Sequence, residues 1–580
     1  MPAYTAPVDD MLFVLGDLLD TGTVLAALGG EEVPLSLMGE VLGEAGRFCE
    51  KVAQPLNRSG DEEGCVLENG IVRTPKGFPG AYAAFVEAGW PGLAHAPEYG
   101  GQGLPRVLQL LFDEMLSSAN FSFGLFPGLT RGAVEAIERH ATEELKALYL
   151  PPMVEGRWMG AMALTEAQAG TDLGLLRSRA EPQADGSYRV TGSKIFISAG
   201  DHDLSENIIH LVLARLPDAP PGVKGISLFL VPKFIPDAAG QAGARNGVSA
   251  GSIEHKMGLK ASPTCVMHYD AARGWLVGAP HQGLRAMFTM MNAERLFVGI
   301  QGLGIAEAAY QGASTYARER LQGRAPGAAT GAAQSILVHP DVRKMLLTIR
   351  AFTESGRALA AWTALEMEKA ARHPDPDARA KADGMVALLT PVIKAAFTDL
   401  GFESAVLGQQ VFGGHGYVRE WGMEQLVRDG RIAQIYEGTN GVQAMDLVGR
   451  KLFQDGGALP RAFFAEIRAT LAAGGDPDIV TPLAEALDRL EAATAALVGR
   501  GTADPAEIGA AATDYLRFFA LVALGWMWAR MAALPGGRRH AAKQALARFF
   551  MARILPQTLA LDRALAAGAA PLMAMEEADF

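Results

Sequence analysis

The chain has 580 residues, more than one ordinary hydrophobic core organises, and reads as about three or four domains. A formal net charge of −12 argues against wholesale nucleic-acid binding, and 49% apolar with 20% charged residues is a globular composition. Cys49, Cys65 and Cys265 are too few and too scattered for a disulfide framework or a structural zinc site; free thiols in a reducing cytoplasm are expected.

The opening MPAYTAPVDDMLFVLGDLLD has an apolar run flanked by acids, where a secretory signal needs basic residues. Residues 1–158 read as a helical domain: LMGEVLGEAGRFCEKVAQPLN has apolar residues at helical spacing, and GWPGLAHAPEYGGQGLPRVLQLLFDEML is a Gly/Pro-rich loop leading into an amphipathic helix. From Trp158 the runs become short and rich in β-formers, with turn signals at Asp185-Gly186 and Thr191-Gly192; they predict a β-domain over 159–280. Four helical patterns over 281–455 predict a bundle. QDGGALP reads as a linker, and the Ala-rich 456–580 as a further helical domain. No stretch approaches a membrane span, and the apolar run FFALVALGWMWA (518–529) reads as a buried helix.

Five segments could carry chemistry. In ALTEAQAGTD (163–172), Thr165, Thr171 and Asp172 surround Gly170 after a strand; exposed N–H groups there could hold a flavin edge or a phosphate, although ordinary turns have the same composition. In KIFISAG (194–200), Phe196, Ile197 and Ser198 end a strand and could pack a planar ring or the core. Arg320 of YARERLQGR could clamp a pyrophosphate bidentately or be a solvated helix end. Gly413, Gly414 and Gly416 of QQVFGGHGY form an exposed-backbone loop that fits neither GxGxxG nor GxxxxGKS, so the nicotinamide fingerprint fails there. In QIYEGTN (434–440), Glu437 has no second acid, histidine or metal-ligand pattern close in sequence, and Thr439 or Asn440 could cap the following helix.

ALTEAQAGTD, GSKIFISAG, KMGLKASPT, NAERL, YARER, QVFGGHGY and IYEGTN occur in the order found in acyl-CoA dehydrogenases, and over residues 40–455 the chain resembles that family. Its two ends are similar to the subgroup containing 3-methylmercaptopropionyl-CoA dehydrogenase, which also holds enzymes for other acyl-CoAs. The resemblance implies a mainly α fold with a central β-domain: a helical N-domain, a β-barrel-like middle domain, a four-helix-bundle C-domain and an extra C-terminal helical domain. It implies FAD extended between the β-domain and the bundle, and α,β-dehydrogenation of an acyl-CoA to the trans-2-enoyl-CoA. It further implies electron-transfer flavoprotein as acceptor, and a homodimer whose tail covers the surface that four-subunit members use for a second contact.

The same resemblance implies roles. Glu437 matches the base that takes the α-proton, its own backbone N–H donating to the thioester oxygen; the β-hydrogen leaves as hydride to the flavin, so one carboxylate suffices. Glu294 of NAERL matches the position that carries the base in other members, but those generally lack the glutamate of YEGT, which favours Glu437. Leu164, Thr165, Gly170 and Thr171 would face the flavin ring and pyrophosphate, and Phe196, Ile197 and Ser198 would flank the ring, where the family often has tryptophan and threonine. Arg320 would reach the partner subunit's FAD, although RLQG lacks the phenylalanine common in RxxFG. His339, Gln410, Val411, Gly413 and Gly414 would complete the adenosine and pyrophosphate contacts, with Gly438 and Thr439 also touching the cofactor. Thr171, Asn292 and Arg295 would serve the acyl-CoA, and no metal is implied.

Two other readings stay open: an acyl-CoA oxidase that uses O2, and a flavin-bearing, nucleic-acid-associated relative of the fold. The stretch 538–553, with Arg538, Arg539, Lys543, Arg548 and Arg553, would suit phosphates, an acidic membrane surface or no ligand at all.

Overall fold

The short β-rich runs become strands and the long periodic runs become helices in a computed structural model that describes residues 3–29, 33–328 and 330–580. The chain divides into two units, one from residues 1–46, 106–118 and 298–580, the other from 47–105 and 119–297.

Among the described residues, all the strands lie in the second unit. A small hairpin, β1 (Val66–Glu68) and β2 (Ile71–Arg73), interrupts the region expected to be helical; Asn69 and Gly70 both take positive φ, the two-residue turn that an Asn-Gly pair favours. The remaining strands are β3 (Trp158–Ala163), β4 (Arg179–Pro182), β5 (Tyr188–Ser198), β6 (Asn207–Arg215), β7 (Ile226–Pro232), β8 (Phe234–Pro236), β9 (Ala242–Arg245), β10 (Val248–Ile253) and β11 (Thr264–Val277). β11 pairs with β5, β5 with β4, β4 with β6, β6 with β7, and β7 returns to β11, so the sheet closes on itself. β3 adds in parallel to β6, and β10 to the other edge of β11. Inward-facing Val190, Ile208, Val212, Phe229, Val231 and Met267 fill the interior. Burying each such side chain contributes roughly 1.5–3 kcal/mol. Asp185-Gly186 is a turn, as expected, but Thr191-Gly192 lies inside β5; a side chain at 192 would strike Ser178, which explains the glycine.

The helix Phe121–His140 is capped by Asn120, whose Oδ1 accepts from the Phe123 N–H at 3.0 Å. Gly128 and Gly132, one turn apart on it, let the first turns of the helix Gly283–Glu319 come close: a Cβ at 128 would overlap the Phe297 ring, and one at 132 would lie 2.8 Å from Glu294 Oε1.

The first unit contains the rest of that helix, then Pro340–Arg372 and Pro376–Val411. The fourth expected bundle helix is short, Asn440–Asp446, and widens into a π-helical turn over Leu447–Lys451. Residues 456–580 are helical, with Pro505–Ala533 at their centre; Trp526 packs edge-on to Trp362 and Phe463, and the Trp528 indole donates to the Ala351 carbonyl at 3.1 Å. One expectation needs correcting. Pro376–Val411 and Pro505–Ala533 are long and apolar enough to cross a membrane, but 72% and 67% of their most apolar windows are buried inside the protein. The basic stretch 538–553 is not a continuous charged face either. Lys543 is buried and Arg548 pairs with Asp476 at 2.5 Å, while Arg553 is exposed; the Arg538 and Arg539 side chains lie outside the described residues.

Candidate active site

In the second unit, β3 runs into the turn 164–172. The Thr165 carbonyl accepts from the Ile195 N–H at 2.9 Å, and Glu166 and Ala169 exchange two backbone hydrogen bonds, which ties the turn to β5 and closes it on itself. Gly170 and Thr171 are exposed, Leu164 and Thr165 half-buried, and the exposed Asp172 caps the Gly174 N–H through its Oδ1 at 2.9 Å. Beside the turn, Ile195 and Phe196 on β5 stand opposite the single Val266 on β11, because the register passes from Lys194↔Met267 to Ile197↔Cys265. Two residues facing one is a β-bulge, a device that re-aims a side chain. Phe196 takes φ 57° there and is 60% exposed, whereas Ile197 returns to the core. Of the three ring-flanking residues expected, Phe196 and the half-buried Ser198 are therefore presented outward, and Ile197 faces the core with its side chain.

In the same unit, the helix Gly283–Glu319 presents Asn292 to solvent, where its Oδ1 accepts from Arg295 Nη1 at 3.4 Å. Arg295 is otherwise buried, and Glu294 is 2% exposed against Gly132.

In the first unit, Glu437 sits on a turn between the short helix Ile432–Gln434 and Asn440–Asp446, half-buried, with φ 56°. A non-glycine residue in this left-handed region is strained, and the surroundings must hold it there. Gln443 Nε2 donates to the Glu437 carbonyl at 3.1 Å and to the Gly438 carbonyl at 3.3 Å. The Tyr436 hydroxyl donates to Gln301 Oε1. Thr439, not Asn440, is the helix cap: its Oγ1 accepts from the Val442 N–H at 3.4 Å. Asn440 instead anchors the turn to Pro376–Val411, accepting from Lys394 Nζ at 2.9 Å and donating to Asp399 Oδ1 at 2.7 Å.

Also in the first unit, Arg320 is exposed one residue past the end of Gly283–Glu319. Tyr316, a turn earlier, stacks on Phe412 at 4.2 Å and bonds His415 Nδ1 at 2.8 Å, and His415 stacks on Trp421 at 4.4 Å. This aromatic group holds the glycine loop open: Gly413 and Gly414 are exposed and a Cβ on either would meet nothing, while Gln410 is exposed and Val411 buried. His339 is half-buried and its Nε2 lies 2.8 Å from the Gln322 carbonyl, so it braces the 321–323 turn.

Family models match the chain in four consecutive blocks: acyl-CoA dehydrogenase N-terminal domain over 40–157, middle domain over 161–272, C-terminal domain over 281–453, and acetyl-CoA dehydrogenase C-terminal like over 463–576. The chain belongs to the acyl-CoA dehydrogenase family. It is 46% identical over 528 residues, 90% of each chain, to 3-methylmercaptopropionyl-CoA dehydrogenase of Ruegeria pomeroyi. It is 32% identical over 613 aligned residues, spanning both chains completely, to the broad-specificity linear acyl-CoA dehydrogenase FadE5 of Mycobacterium tuberculosis. Its fold matches an acyl-CoA dehydrogenase complexed with FAD from Bacillus anthracis with a TM-score of 0.76 and 21% identity, covering 96% of this chain and 92% of that one.

The acyl-CoA dehydrogenase uses FAD and oxidises an acyl-CoA. Its residues suit the cofactor. An outward aromatic ring on a strained bulge fits a planar heterocycle, and threonine and serine hydroxyls, open glycine backbone and a free-standing arginine fit ribityl and phosphate oxygens. Sequence reasoning passed over the residues that support these groups. Lys194 and Glu166 stand under the 164–172 turn, and Lys394, Gln443 and Gln301 stand under the glutamate turn. A lysine inside the apolar run TPVIKAAF was a visible signal, because a buried ammonium requires a partner.

Proposed function

We propose that Glu437 is the base that takes the α-proton of the acyl-CoA, and that the substrate is 3-methylmercaptopropionyl-CoA or another short or medium acyl-CoA. The observation that carries the first part is the strained, braced turn: a carboxylate held at φ 56° by Gln443 and flanked by Tyr436 and Asn440 bonds is a positioned group. The 46% identity to the Ruegeria pomeroyi enzyme supports the second.

The α C–H of a thioester is weakly acidic. Deprotonation needs a base on one face and hydrogen bonds to the thioester oxygen as negative charge grows there. Glu437 supplies the base and its own backbone N–H one of the donors. FAD, when bound, accepts the β-hydrogen as hydride, so a second carboxylate is not required. Thr165, Gly170, Thr171, Phe196 and Ser198, with the backbone at Leu164 and Ile197, hold the flavin side. Arg320, His339, Gln410, Val411, Gly413, Gly414, Gly438 and Thr439 hold the remainder, and Asn292, Arg295 and Thr171 the substrate. Glu294 is a structural carboxylate in this reading, supported by its burial against Gly132.

The enzyme works as a homodimer in the reducing cytoplasm and passes electrons to electron-transfer flavoprotein. The three free cysteines support the compartment, and the exposed Leu321, Tyr417, Val418 and Trp421 near Arg320 support a subunit contact. Anaerobic addition of short, sulfur-bearing, aromatic and long acyl-CoAs, followed by flavin bleaching, tests the substrate. Fastest bleaching by a short or medium chain is expected; preference for a long or aromatic chain would contradict it. Rapid peroxide formation in air would favour the oxidase.

A further inference from the structure

Lys194 lies on β5 with a side-chain exposure of 0%, paired with Glu166 at 5%. Its Nζ donates to Glu166 Oε1 and to the Leu164 carbonyl, each at 2.9 Å. The Glu166 carboxylate also accepts from Ser178 Oγ at 2.6 Å, the Ser178 N–H at 3.0 Å, the Arg177 N–H at 2.7 Å and Gln168 Nε2 at 2.7 Å. An ion pair this buried is a poor source of net stability, because apolar side chains of the same volume hold a core as well. What it fixes is position. Glu166 draws residues 166–178 around one carboxylate, and Lys194 fastens that carboxylate and the Leu164 carbonyl to the strand. Phe196 follows two residues later, on the bulge. The turn with Thr165, Gly170 and Thr171 and the strand with Phe196 are thus joined by this charge pair as well as by the backbone bond from the Ile195 N–H to the Thr165 carbonyl.

We propose that Lys194 and Glu166 are positioning residues for FAD, holding the 164–172 turn and the Phe196 bulge in one arrangement so that both meet the flavin together. The inference rests on the flavin-side assignment of Thr165, Thr171 and Phe196 made above. The two act through those residues rather than by contact with the cofactor. Burial pulls the Lys194 ammonium down to about 8, with Glu166 opposing, so the pair is charged at neutral pH.

The test is titration of the apoprotein with FAD, read by flavin fluorescence and absorption, for the parent, Lys194→Met, Glu166→Gln, the double variant and Phe196→Ala. Each single change at the pair weakens FAD binding about tenfold or more and shifts the flavin absorption band, the scale of one charge-assisted hydrogen bond. The double variant binds no more weakly than Lys194→Met, because the two residues act as a unit. Affinity within about twofold of the parent for Lys194→Met and Glu166→Gln, with Phe196→Ala weakened, overturns the proposal; so do additive losses in the double variant. Unchanged affinity in every variant, Phe196→Ala included, overturns instead the flavin-side assignment. If Lys194→Met does not fold, the near-isosteric Glu166→Gln decides alone.

Discussion

Lys543 Nζ donates to Asp10 Oδ1 at 2.6 Å, joining residues 533 positions apart and so fastening the chain's first helix to its C-terminal extension. The same ammonium donates to Glu354 at 2.6 Å, and Asp10 accepts from Arg357 at 2.5 Å. Arg357 in turn holds Glu114 and Glu307. Burial pushes the Asp10 carboxyl up, but Lys543 and Arg357 outweigh it and hold it at about 2. Removing one partner of a buried network leaves charges uncompensated, which costs about 3–5 kcal/mol. Lys543→Met therefore lowers the unfolding free energy by that order, read as a lower denaturant midpoint, while leaving the flavin spectrum and the reduction rate of the folded enzyme unchanged.

Glu437 is held in the left-handed region at φ 56°. Glycine adopts that conformation without strain, and the relief, less its greater freedom in the unfolded chain, is about 1 kcal/mol. Glu437→Gly is thus expected to raise the melting temperature slightly while abolishing flavin reduction by acyl-CoA. A melting temperature lowered by the change would show that the turn is not strained.

At Glu166 burial pushes the carboxyl up, but Lys194, Ser178 and the Arg177 N–H outweigh it, bringing it from the ordinary 4.5 to about 2. A carboxylate whose folded value lies below its unfolded one stabilises fully above pH 4.5. That stabilisation is lost as pH falls from 4.5 through about 2. The melting temperature of Glu166→Gln should therefore lie below the parent's at pH 7, where it leaves the buried Lys194 without its charge partner, and the gap should narrow as the pH falls from 4.5 towards 2.

Much of this was legible in the sequence, for physical reasons that differ by segment. Short runs rich in β-formers such as NIIHLVLAR, buried on both faces, and the helical runs after Gly283 declare their elements through length and composition, and the seven short motifs together declared the family. Thr191-Gly192 misled because a glycine kept for close approach to Ser178 looks the same in sequence as one kept for a turn. The Phe196 bulge was invisible because it is set by the pairing of 194–197 with 265–267, two segments far apart in the chain. Lys543 reads as part of a basic patch until its distant acidic partners, Asp10 and Glu354, are in place. The anchors of the Glu437 turn, Lys394 and Gln301, also come from distant helices.

The base assignment is tested most directly by anaerobic stopped-flow reduction of the FAD-loaded enzyme, with an acyl-CoA that bleaches the parent, in Glu437→Gln and Glu294→Gln. The account predicts that Glu437→Gln keeps its yellow flavin but loses bleaching by about a hundredfold or more, the scale of a general base, while Glu294→Gln still reduces. Bleaching at the parent rate in Glu437→Gln, together with its loss in Glu294→Gln, would contradict it.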